Sequence, residues 1–481
     1  MLVKKSIKTN KWIYKFVIAI FICNCLSFVV YEKSEGLTLT FDYQKTTPLL
    51  HPPYVSCVIN DPTDPLSTKG VGLTIKENNL DIDVSDFSVA LESDHEEIIS
   101  SKTIHVEKSN GAAFVIMHPL SVGYATIKIT VTTKKSSASL LLYVAASKAN
   151  AGFEHTYWHT SMADASAAIA IDNQFMFVAD DEKNQIGLFN RFQSGAPIYT
   201  YKYENFLNLE DGEEGNYKEI DCEAAVRSPF DSNKIYWLGS MSNGGKSDKV
   251  EKNRNCLFCT KTLGSNENAT LTFNGSVKTL RKDILKWGDH YGYELSKAGE
   301  AGQNPKALDG FNIEGMCFAP NHTTLYIGCR APLVPTKNKT KALIIPVLNF
   351  EKWFNNGNPV STLKIDEPIE LDLHGKGIRD MIQLHDGSYV IIAGMSNEQN
   401  NSELYQWSGL PNEIPILLST NNLNTINPEA IVEVLNNDDT KKEFQLISDN
   451  GKNIYYLDDV KAKYLQPEYK KFRSDIISVG Q

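Results

Sequence analysis

The stretch NIEGMCFAPNHTTLYIGCR, residues 312–330, places an acid before a small residue and an apolar run, followed by a turn and a second apolar run. Its opening recurs in variant form across the C-terminal two-thirds of the chain. The five copies are DASAAIAI at 164–171, DCEAAVRS at 221–228, NIEGMCFA at 312–319, IRDMIQL at 378–384 and NPEAIVEV at 427–434. Two short apolar runs around a turn predict a β-hairpin, so the chain contains a repeated hairpin unit.

The spacing of the copies predicts the architecture. Aligned on the third residue of each copy, the intervals are 57, 91, 66 and 49 residues (223−166, 314−223, 380−314 and 429−380). A unit of roughly 40–50 residues with insertions is typical of a β-propeller. Each unit can be divided into four strands, with NIYYLDD at 453–459 as the third strand of unit five, which predicts an all-β fold with a five-bladed propeller over residues 153–481. The segment FEHTYWHT, residues 153–160, either pairs with the last blade and closes the ring or belongs to a sixth, degenerate blade.

The region before the propeller also predicts β structure. Residues 37–147 contain about seven short alternating runs separated by turn residues, a pattern that favours a β-sandwich. CVINDPTDPLSTKGVGLTI at 57–75 and SVGYATIKITVTT at 121–133 resemble the opening and closing strands of bacterial immunoglobulin- or cadherin-like modules. In such modules Asp61 and Asp64 could bind calcium at a domain junction; the alternative is an Asx-turn between strands. Residues 148–152 have the small, polar character of a linker.

The N-terminus and the net charge bear on location and partners. Residues 1–36 combine five early lysines with an apolar run at 16–30, the pattern of a signal peptide; an uncleaved membrane anchor is the alternative. Export predicts a secreted, periplasmic or cell-surface protein, touching a membrane only through such an anchor. The net charge of −10 and the lack of a basic stretch argue against a nucleic-acid partner.

The repeated acids define the candidate site. In a propeller the first strand of each blade lines the central channel, and strand two ends beside its start. Carboxylates converging on one axis must bind a cation, share protons or pair with arginine. The alternative to metal binding is that each acid accepts backbone N–H bonds at a blade boundary or pairs with Arg330 and Arg379. All-oxygen ligands predict Ca²⁺ or Mg²⁺. The candidate metal ligands are Glu223, Glu314, Asp380, Glu429, Asp164 and Asp221. The candidate anion-binding residues are Arg330 and Arg379. The residues at the ends of the second strands, which should lie nearby, are Asp180, Asp181, Ser240, Arg330 and Asp449.

Taken in order, the five motifs between residues 164 and 450 resemble a bacterial propeller family known as domain of unknown function 3616. The resemblance implies a propeller and supplies no reaction. The pattern is also similar to that of phytase-like and esterase-like propellers, an analogy of fold alone. Ser166 departs from a full acidic ring, which weakens a site for several metals.

Two functions follow as hypotheses. The first is a secreted, metal-assisted hydrolase of an ester or phosphoester. The second is a non-catalytic protein that binds a small molecule, a glycan or a protein at the channel mouth. No nucleophile elbow or phosphate loop is present in the sequence to favour an enzyme. The insertion at 281–307 predicts a short helix, and insertions of this length are usually functional or disordered.

Overall fold

The computed structural model describes residues 36–43, 46–149, 153, 155–210, 217–244, 250–397, 399, 401–418, 423–435 and 441–480. The described chain is almost entirely β structure, as the sequence predicts. The predicted export signal lies outside the described residues, apart from Gly36, and so does most of the predicted linker. Within the described ranges, no helix has the length and apolar character needed to cross a bilayer.

The N-terminal region forms two sheets around one apolar core. The first sheet has the order β1-β3-β7-β6, with β4 also paired to β3, and the second has the order β2-β9-β8-β5, in which β2 and β9 are parallel. Alternate residues of β8 point inward, which matches the two-residue period of a half-buried strand. The nine strands are β1 (Leu37–Phe41), β2 (Tyr54–Ile59), β3 (Val71–Glu77), β4 (Leu80–Asp81), β5 (Phe87–Ser93), β6 (His105–Ser109), β7 (Ala112–Ile116), β8 (Gly123–Thr133) and β9 (Ser137–Lys148).

Asp61 and Asp64 lie in the turn that follows β2. Asp61 accepts a hydrogen bond from the Thr63 amide at 2.8 Å, and Asp64 accepts one from the Leu66 amide at 2.9 Å. These bonds from residue i+2 are those of Asx-turns. Asp64 thereby caps the short helix α1 (Pro65–Thr68) and also accepts from the Val58 amide at 2.6 Å. The turn interpretation therefore accounts for both carboxylates.

The rest of the chain forms β10 (His155–Thr160) and five antiparallel sheets, in the propeller-like arrangement predicted from the repeats. Sheet one holds β11 (Ala165–Ala170), β12 (Phe175–Asp180), β13 (Gln185–Asn190) and β14 (Tyr199–Lys202); sheet two holds β15 (Cys222–Arg227), β16 (Lys234–Gly239), β17 (Leu257–Leu263) and β18 (Thr270–Val277); sheet three holds β19 (Asn312–Phe318), β20 (Leu325–Ala331), β21 (Ala342–Val347) and β22 (Ile369–Leu371); sheet four holds β23 (Gly377–Gln383), β24 (Tyr389–Gly394), β25 (Glu403–Trp407) and β26 (Ile416–Leu417); sheet five holds β27 (Pro428–Val434), β28 (Lys441–Ser448) and β29 (Lys471–Gly480).

The first strands of the five sheets surround a common axis. β11, β15, β19, β23 and β27 contact one another in sequence, and β27 returns to β11. β10 pairs with β29 as the fourth strand of sheet five, so the start of this region joins its end. Every residue of β12, β20 and β24 is buried, because each sheet packs against neighbours on both faces. The structure thus brings the starts of the five first strands together.

The predicted helix in the insertion is present as α2 (Leu280–His290), followed by α3 (Leu295–Ala298); α4 (Phe350–Phe354) follows β21. Leu280, Ile284 and Trp287 recur every three or four residues along α2 and are buried. Lys282 and Lys286 lie one turn apart on its exposed face. The helix therefore packs its apolar side on the propeller-like body and presents a basic side outward.

One sequence-based strand is wrong. The segment NIYYLDD, residues 453–459, was expected to form the third strand of unit five, but it is an irregular, bent segment whose one β-bridge joins Ile454 to Lys461. Its two tyrosines pack instead with Val58, Ala145 and Trp158, between the N-terminal sheets and the propeller-like region. Tyr456 also shares a 2.8 Å hydrogen bond with Ser56. The apolar residues that suggested a strand instead contact the N-terminal sheets at this junction.

Candidate functional site

Each first strand begins with a β-bulge, and the bulge residue is the one that the repeats align. In every sheet the register with the second strand skips one residue at this point. A bulge leaves its extra residue unpaired in the ladder and re-aims its side chain. The five bulge residues, one from each sheet, are Ser166, Glu223, Glu314, Arg379 and Glu429.

The fourth position differs from the sequence alignment. The register shift lies between Ile378 and Asp380, so Arg379 occupies the aligned position and Asp380 follows it. The corresponding residue after the bulge in sheet three is Gly315. The match of Met381 to Met316 was the available signal, because it aligns GIRDM with NIEGM without a gap.

Asp380 consequently faces backbone rather than the other acids. Its carboxylate accepts hydrogen bonds from the Met381 amide at 2.8 Å and from the Ile431 amide, in the first strand of the next sheet, at 2.9 Å. Burial raises the pKa of this carboxyl to about 8, although both amide bonds oppose the shift. The expected metal-ligand role of Asp380 therefore does not fit its contacts, which join sheet four to sheet five.

Glu314 and Glu429 are paired with arginine. Arg379 Nη1 lies 2.9 Å from both carboxylate oxygens of Glu429 and 3.2 Å from Glu314 Oε2. Arg330 Nη1 lies 2.7 Å from Glu314 Oε1. Burial alone would raise the pKa of Glu314, but the two guanidinium groups outweigh it and hold that pKa below its ordinary value. The repeated acids of sheets three and five, Glu314 and Glu429, are thus balanced by protein cations.

The two arginines are also bonded to the backbone that follows β24. Arg330 Nε donates to the Ser396 carbonyl at 2.8 Å and its Nη2 to the Asn397 carbonyl at 3.0 Å. Arg379 Nη2 donates to the Met395 carbonyl at 3.2 Å. Since most of their donors are engaged inside the protein, the anion-binding role expected for Arg330 and Arg379 would require these bonds to be broken.

On the opposite side of the ring, Asp181 and Glu223 form no ion pair with a described residue, and only Asp221 has a cation partner. Asp181, at the end of β12, lies beside Asp221 and Glu223 at the start of β15, and one oxygen of each residue lies within 4.8 Å of the others. Asp181 Oδ1 is buried and has no hydrogen-bond partner among the described residues. Burial first, then the neighbouring carboxylates, raises the pKa of Asp181 and that of Glu223 well above their ordinary values.

Asp164 and Asp449 extend this acidic group. Asp164 is 5% exposed, and its Oδ2 finds no partner in the described chain. Burial and then Asp449 raise the pKa of Asp164 to about 8. A Cβ at Gly451 would lie 1.6 Å from Asp164 Oδ1, so only glycine fits there. Asp164 is therefore held close against the backbone of Gly451.

Arg254 is the site residue that sequence reasoning missed. It follows the insertion in sheet two, and its Nη1 lies 2.7 Å from Asp221 Oδ2. Its Nη2 lies 2.9 Å from Glu219 Oε1, so the cation is shared between two carboxylates. No repeat marks Arg254, because insertions of different length separate the units; only the geometry reveals it.

The donor set of this acidic group fits a hard cation. Two oxygens bound to one Ca²⁺ at about 2.4 Å can be at most about 4.8 Å apart. The spacing of the Asp181, Asp221 and Glu223 oxygens lies within that limit. The set contains only carboxylates, which select Ca²⁺ or Mg²⁺ over zinc. Of the predicted metal ligands, Asp221 and Glu223 lie together with Asp181, and Asp164 lies next to them. The other three have protein partners: Glu314 and Glu429 pair with arginine, and Asp380 accepts from backbone amides.

Comparison with known proteins yields structural likeness only. No family model and no curated protein matches the chain. A solved protein of unknown function from Bacteroides thetaiotaomicron is 10% identical over 93% of this chain and 99% of its own, with a TM-score of 0.28. A DUF4623 family protein from Bacteroides eggerthii is 9% identical over 92% and 94%, with a TM-score of 0.25. A quinonprotein alcohol dehydrogenase-like protein from Bacteroides thetaiotaomicron is 8% identical over 93% and 99%, with a TM-score of 0.24.

Proposed function

We propose that the five sheets are five propeller blades and that the channel mouth binds a divalent cation, Ca²⁺ or Mg²⁺, through Asp181, Asp221 and Glu223. The observation that carries this proposal is the buried Asp181 Oδ1, which has no donor among the described residues and lies among carboxylates that repel one another. A buried carboxylate without a partner is costly, and a bound cation removes that cost.

The local charge supports a divalent ion. Asp181, Asp221 and Glu223 contribute three negative charges when ionised, and Arg254 supplies one positive charge that it shares with Glu219. At least two negative charges remain (3 − 1 = 2). Glu314 and Glu429, by contrast, are matched by Arg330 and Arg379. A cation of charge two would therefore neutralise the only side of the ring that the described protein cations leave negative.

The bound cation would present open coordination positions to an oxygen-rich ligand at the channel mouth. Metal-assisted hydrolysis of an ester or phosphoester is supported by Asp164, a carboxyl beside the acidic group whose buried Oδ2 has no partner among the described residues and which could act as a general acid or base. A bound cation would polarise the ester oxygen or activate water. Cation-dependent binding of a glycan or protein, without reaction, is the alternative.

The remaining assignments are also proposals. We assign the N-terminal region to the immunoglobulin- or cadherin-like class on its two sheets of nine strands around one core. The order of the five motifs supports membership of the family known as domain of unknown function 3616. Lysines before the apolar run at 16–30 support export to a secreted, periplasmic or surface location. N-terminal sequencing of the exported protein should then begin after that run.

Calorimetric titration tests the cation site. Protein stripped with EDTA should bind Ca²⁺ or Mg²⁺ saturably, and its melting temperature should rise with the ion by mass action. Glu223→Gln should abolish both effects, whereas Glu92→Gln, an exposed acid of the N-terminal sheets, should leave them unchanged. A wild-type protein that binds neither ion at millimolar concentration would overturn the proposal. Release of product from a chromogenic ester or phosphoester, lost in Asp164→Asn while ion binding persists, would separate hydrolysis from binding.

A further inference from the structure

The insertion of sheet two forms a second feature, separate from the acidic group. An open cleft of about 340 Å³ lies along α2, lined among others by Lys278, Arg281, Lys282, Lys286 and Asn255. We call it the basic cleft. Four of its lining side chains are cationic, and no carboxylate is among the described residues that line it. This concentration of positive charge occurs in a chain whose net charge is −10.

Arg281 forms the buried base of the cleft. It is 9% exposed and donates from Nε to the Met241 carbonyl at 2.8 Å and from Nη2 to the Gly299 carbonyl at 2.7 Å. A third bond, of 3.3 Å, reaches Asn243 Oδ1. All three acceptors are neutral, so within the described chain no carboxylate pairs with this guanidinium group. A buried charge that lacks a counter-charge attracts an anion.

The other cations of the cleft are similarly uncompensated. Lys278 Nζ donates to the neutral Asn208 carbonyl at 2.8 Å. Lys282 and Lys286 are exposed and form no hydrogen bond or ion pair with a described residue. The acids of the same helix, Asp283 and Asp289, are absent from the lining, and Asp289 accepts from the Ser296 amide. Lys278, Lys282 and Lys286 therefore have no carboxylate partner among the described residues.

Asn255 adds a polar acceptor to the basic cleft. Its Oδ1 is buried and lacks a hydrogen-bond partner among the described residues. A ligand hydroxyl would reach this oxygen after the Asn255 side chain rotates toward the cleft, because the oxygen has almost no solvent-exposed surface as it lies here. The volume lies in the range of small-molecule sites, about 300–1,000 Å³. The negative charge of the whole chain would repel a long polyanion but not a compact ligand.

We propose that the basic cleft binds a small molecule bearing a tetrahedral oxyanion, a phosphate or sulfate ester, with Arg281 at its base and Lys282 and Lys286 at its rim. The site goes beyond the proposed cation site and does not depend on it. Arg281 Nη1, which engages no described acceptor, and the ammonium groups of the lysines supply the charge-assisted donors for such a group. Asn255 would receive a hydroxyl of the ligand.

Calorimetric titration with inorganic phosphate and with inorganic sulfate, in EDTA and at constant ionic strength, tests this proposal. At least one anion should bind saturably, and the double variant Lys282→Gln/Lys286→Gln should weaken its binding by about a hundredfold, since each of the two lost charge-assisted bonds is worth about tenfold. Both lysines are exposed, so the variant should fold. The matched control is Lys69→Gln/Lys128→Gln, two exposed lysines of the N-terminal sheets, which should leave the affinity unchanged.

The pH dependence identifies the source of the oxyanion. Phosphate changes charge near its second pKa, about 6–7, whereas sulfate keeps its charge across this range. Binding of phosphate that strengthens from pH 5 to pH 8 would indicate a phosphate ester, and equal binding of sulfate at both pH values would indicate a sulfate ester. Failure of both anions to bind at millimolar concentration, equal affinity in the double variant, or binding only when Ca²⁺ is present would each overturn the proposal.

Discussion

Replacement of Arg379 by methionine offers the sharpest test of the ion-paired side of the ring. Arg379 is the only described cation within hydrogen-bonding distance of the Glu429 carboxylate, to which both Nη1 contacts measure 2.9 Å. Glu314 would retain Arg330 at 2.7 Å. The substitution therefore leaves one buried carboxylate without a cation, and breaking a buried pair in this way costs about 3–5 kcal/mol. Urea unfolding at pH 7 should show a loss of that size.

The pH dependence distinguishes lost charge pairing from lost packing. In the wild type the pKa of Glu314 is held below its ordinary value. The ionised Glu314 therefore adds to the free energy of unfolding above about pH 4.3, the unfolded pKa, and this stabilisation is lost as the pH falls through the folded pKa. In Arg379→Met, Glu429 loses the cation that lowers its pKa, so its folded pKa lies further above the unfolded one. Because burial already raises the pKa of Glu429 to about 7 in the wild type, the unfolding free energy of both proteins should increase as the pH falls from 7 to 5, and that of the variant should increase more.

Arg191→Met is the matched control. Arg191 is buried and donates to Gln445 Oε1 and to the carbonyls of Asp172 and Glu433, with no carboxylate partner. Its removal costs hydrogen bonds but leaves no acid unpaired, so the loss should be equal at pH 7 and pH 5. A loss below about 1 kcal/mol in Arg379→Met, the value of an exposed pair, would refute the argument. So would a loss that does not change between the two pH values.

Three further predictions concern other parts of the chain. Asp380→Asn replaces an oxygen that accepts from the Ile431 or Met381 amide, so the free energy of unfolding in urea should fall by about 1–3 kcal/mol. Ca²⁺ binding measured by calorimetry should be unchanged; loss of Ca²⁺ binding would show that Asp380 is a metal ligand. Asp181→Asn removes one of three mutually repelling acids, and burial followed by Glu223 raises the pKa of Asp181 itself, so in EDTA at pH 8 the variant should melt higher than wild type; a lower melting temperature would show that Asp181 is paired. Lys471 is buried, its Nζ lies 2.8 Å from Ser147 Oγ, and burial lowers its pKa to about 8. Since the unfolded lysine has a pKa of about 10.4, wild-type stability should rise between about pH 8 and about pH 10, and Lys471→Met should lose that rise in urea unfolding; equal slopes would contradict it.

Much of the propeller-like region could be predicted from the sequence because its signal is local. Each first and second strand is an apolar run on either side of a turn, and the structure has both strands in all five units. The pairing of residues 155–160 with the last sheet was one of two predicted alternatives, and β10 takes it. The segment at 453–459 was misassigned because its apolar residues serve a long-range contact with Val58 and Ala145, which local pattern cannot reveal.

The candidate site was predictable only in part. Alternation of side chains along a strand is a local rule, whereas a bulge shifts the register by one residue and depends on the partner strand. Because of that shift, Arg379 occupies the ring position that the sequence alignment gave to Asp380. Arg254 approaches Asp221 from an insertion that no repeat aligns. The sequence therefore indicated which ends of the strands meet, but not which side chains balance one another there.

The division of the ring into two sides follows from that single register shift. With an acid in four of the five positions, the ring would carry excess negative charge throughout, and several metal ions would be expected. With Arg379 in the fourth position, its neighbours Glu314 and Glu429 are neutralised by protein cations, and Ser166 removes a further acid. The excess charge is then confined to Glu223, Asp221 and Asp181, where Arg254 is shared with Glu219. One divalent ion suffices for that side, so the calorimetric stoichiometry should be one ion per chain, and a stoichiometry of two or more would contradict this account of the ring.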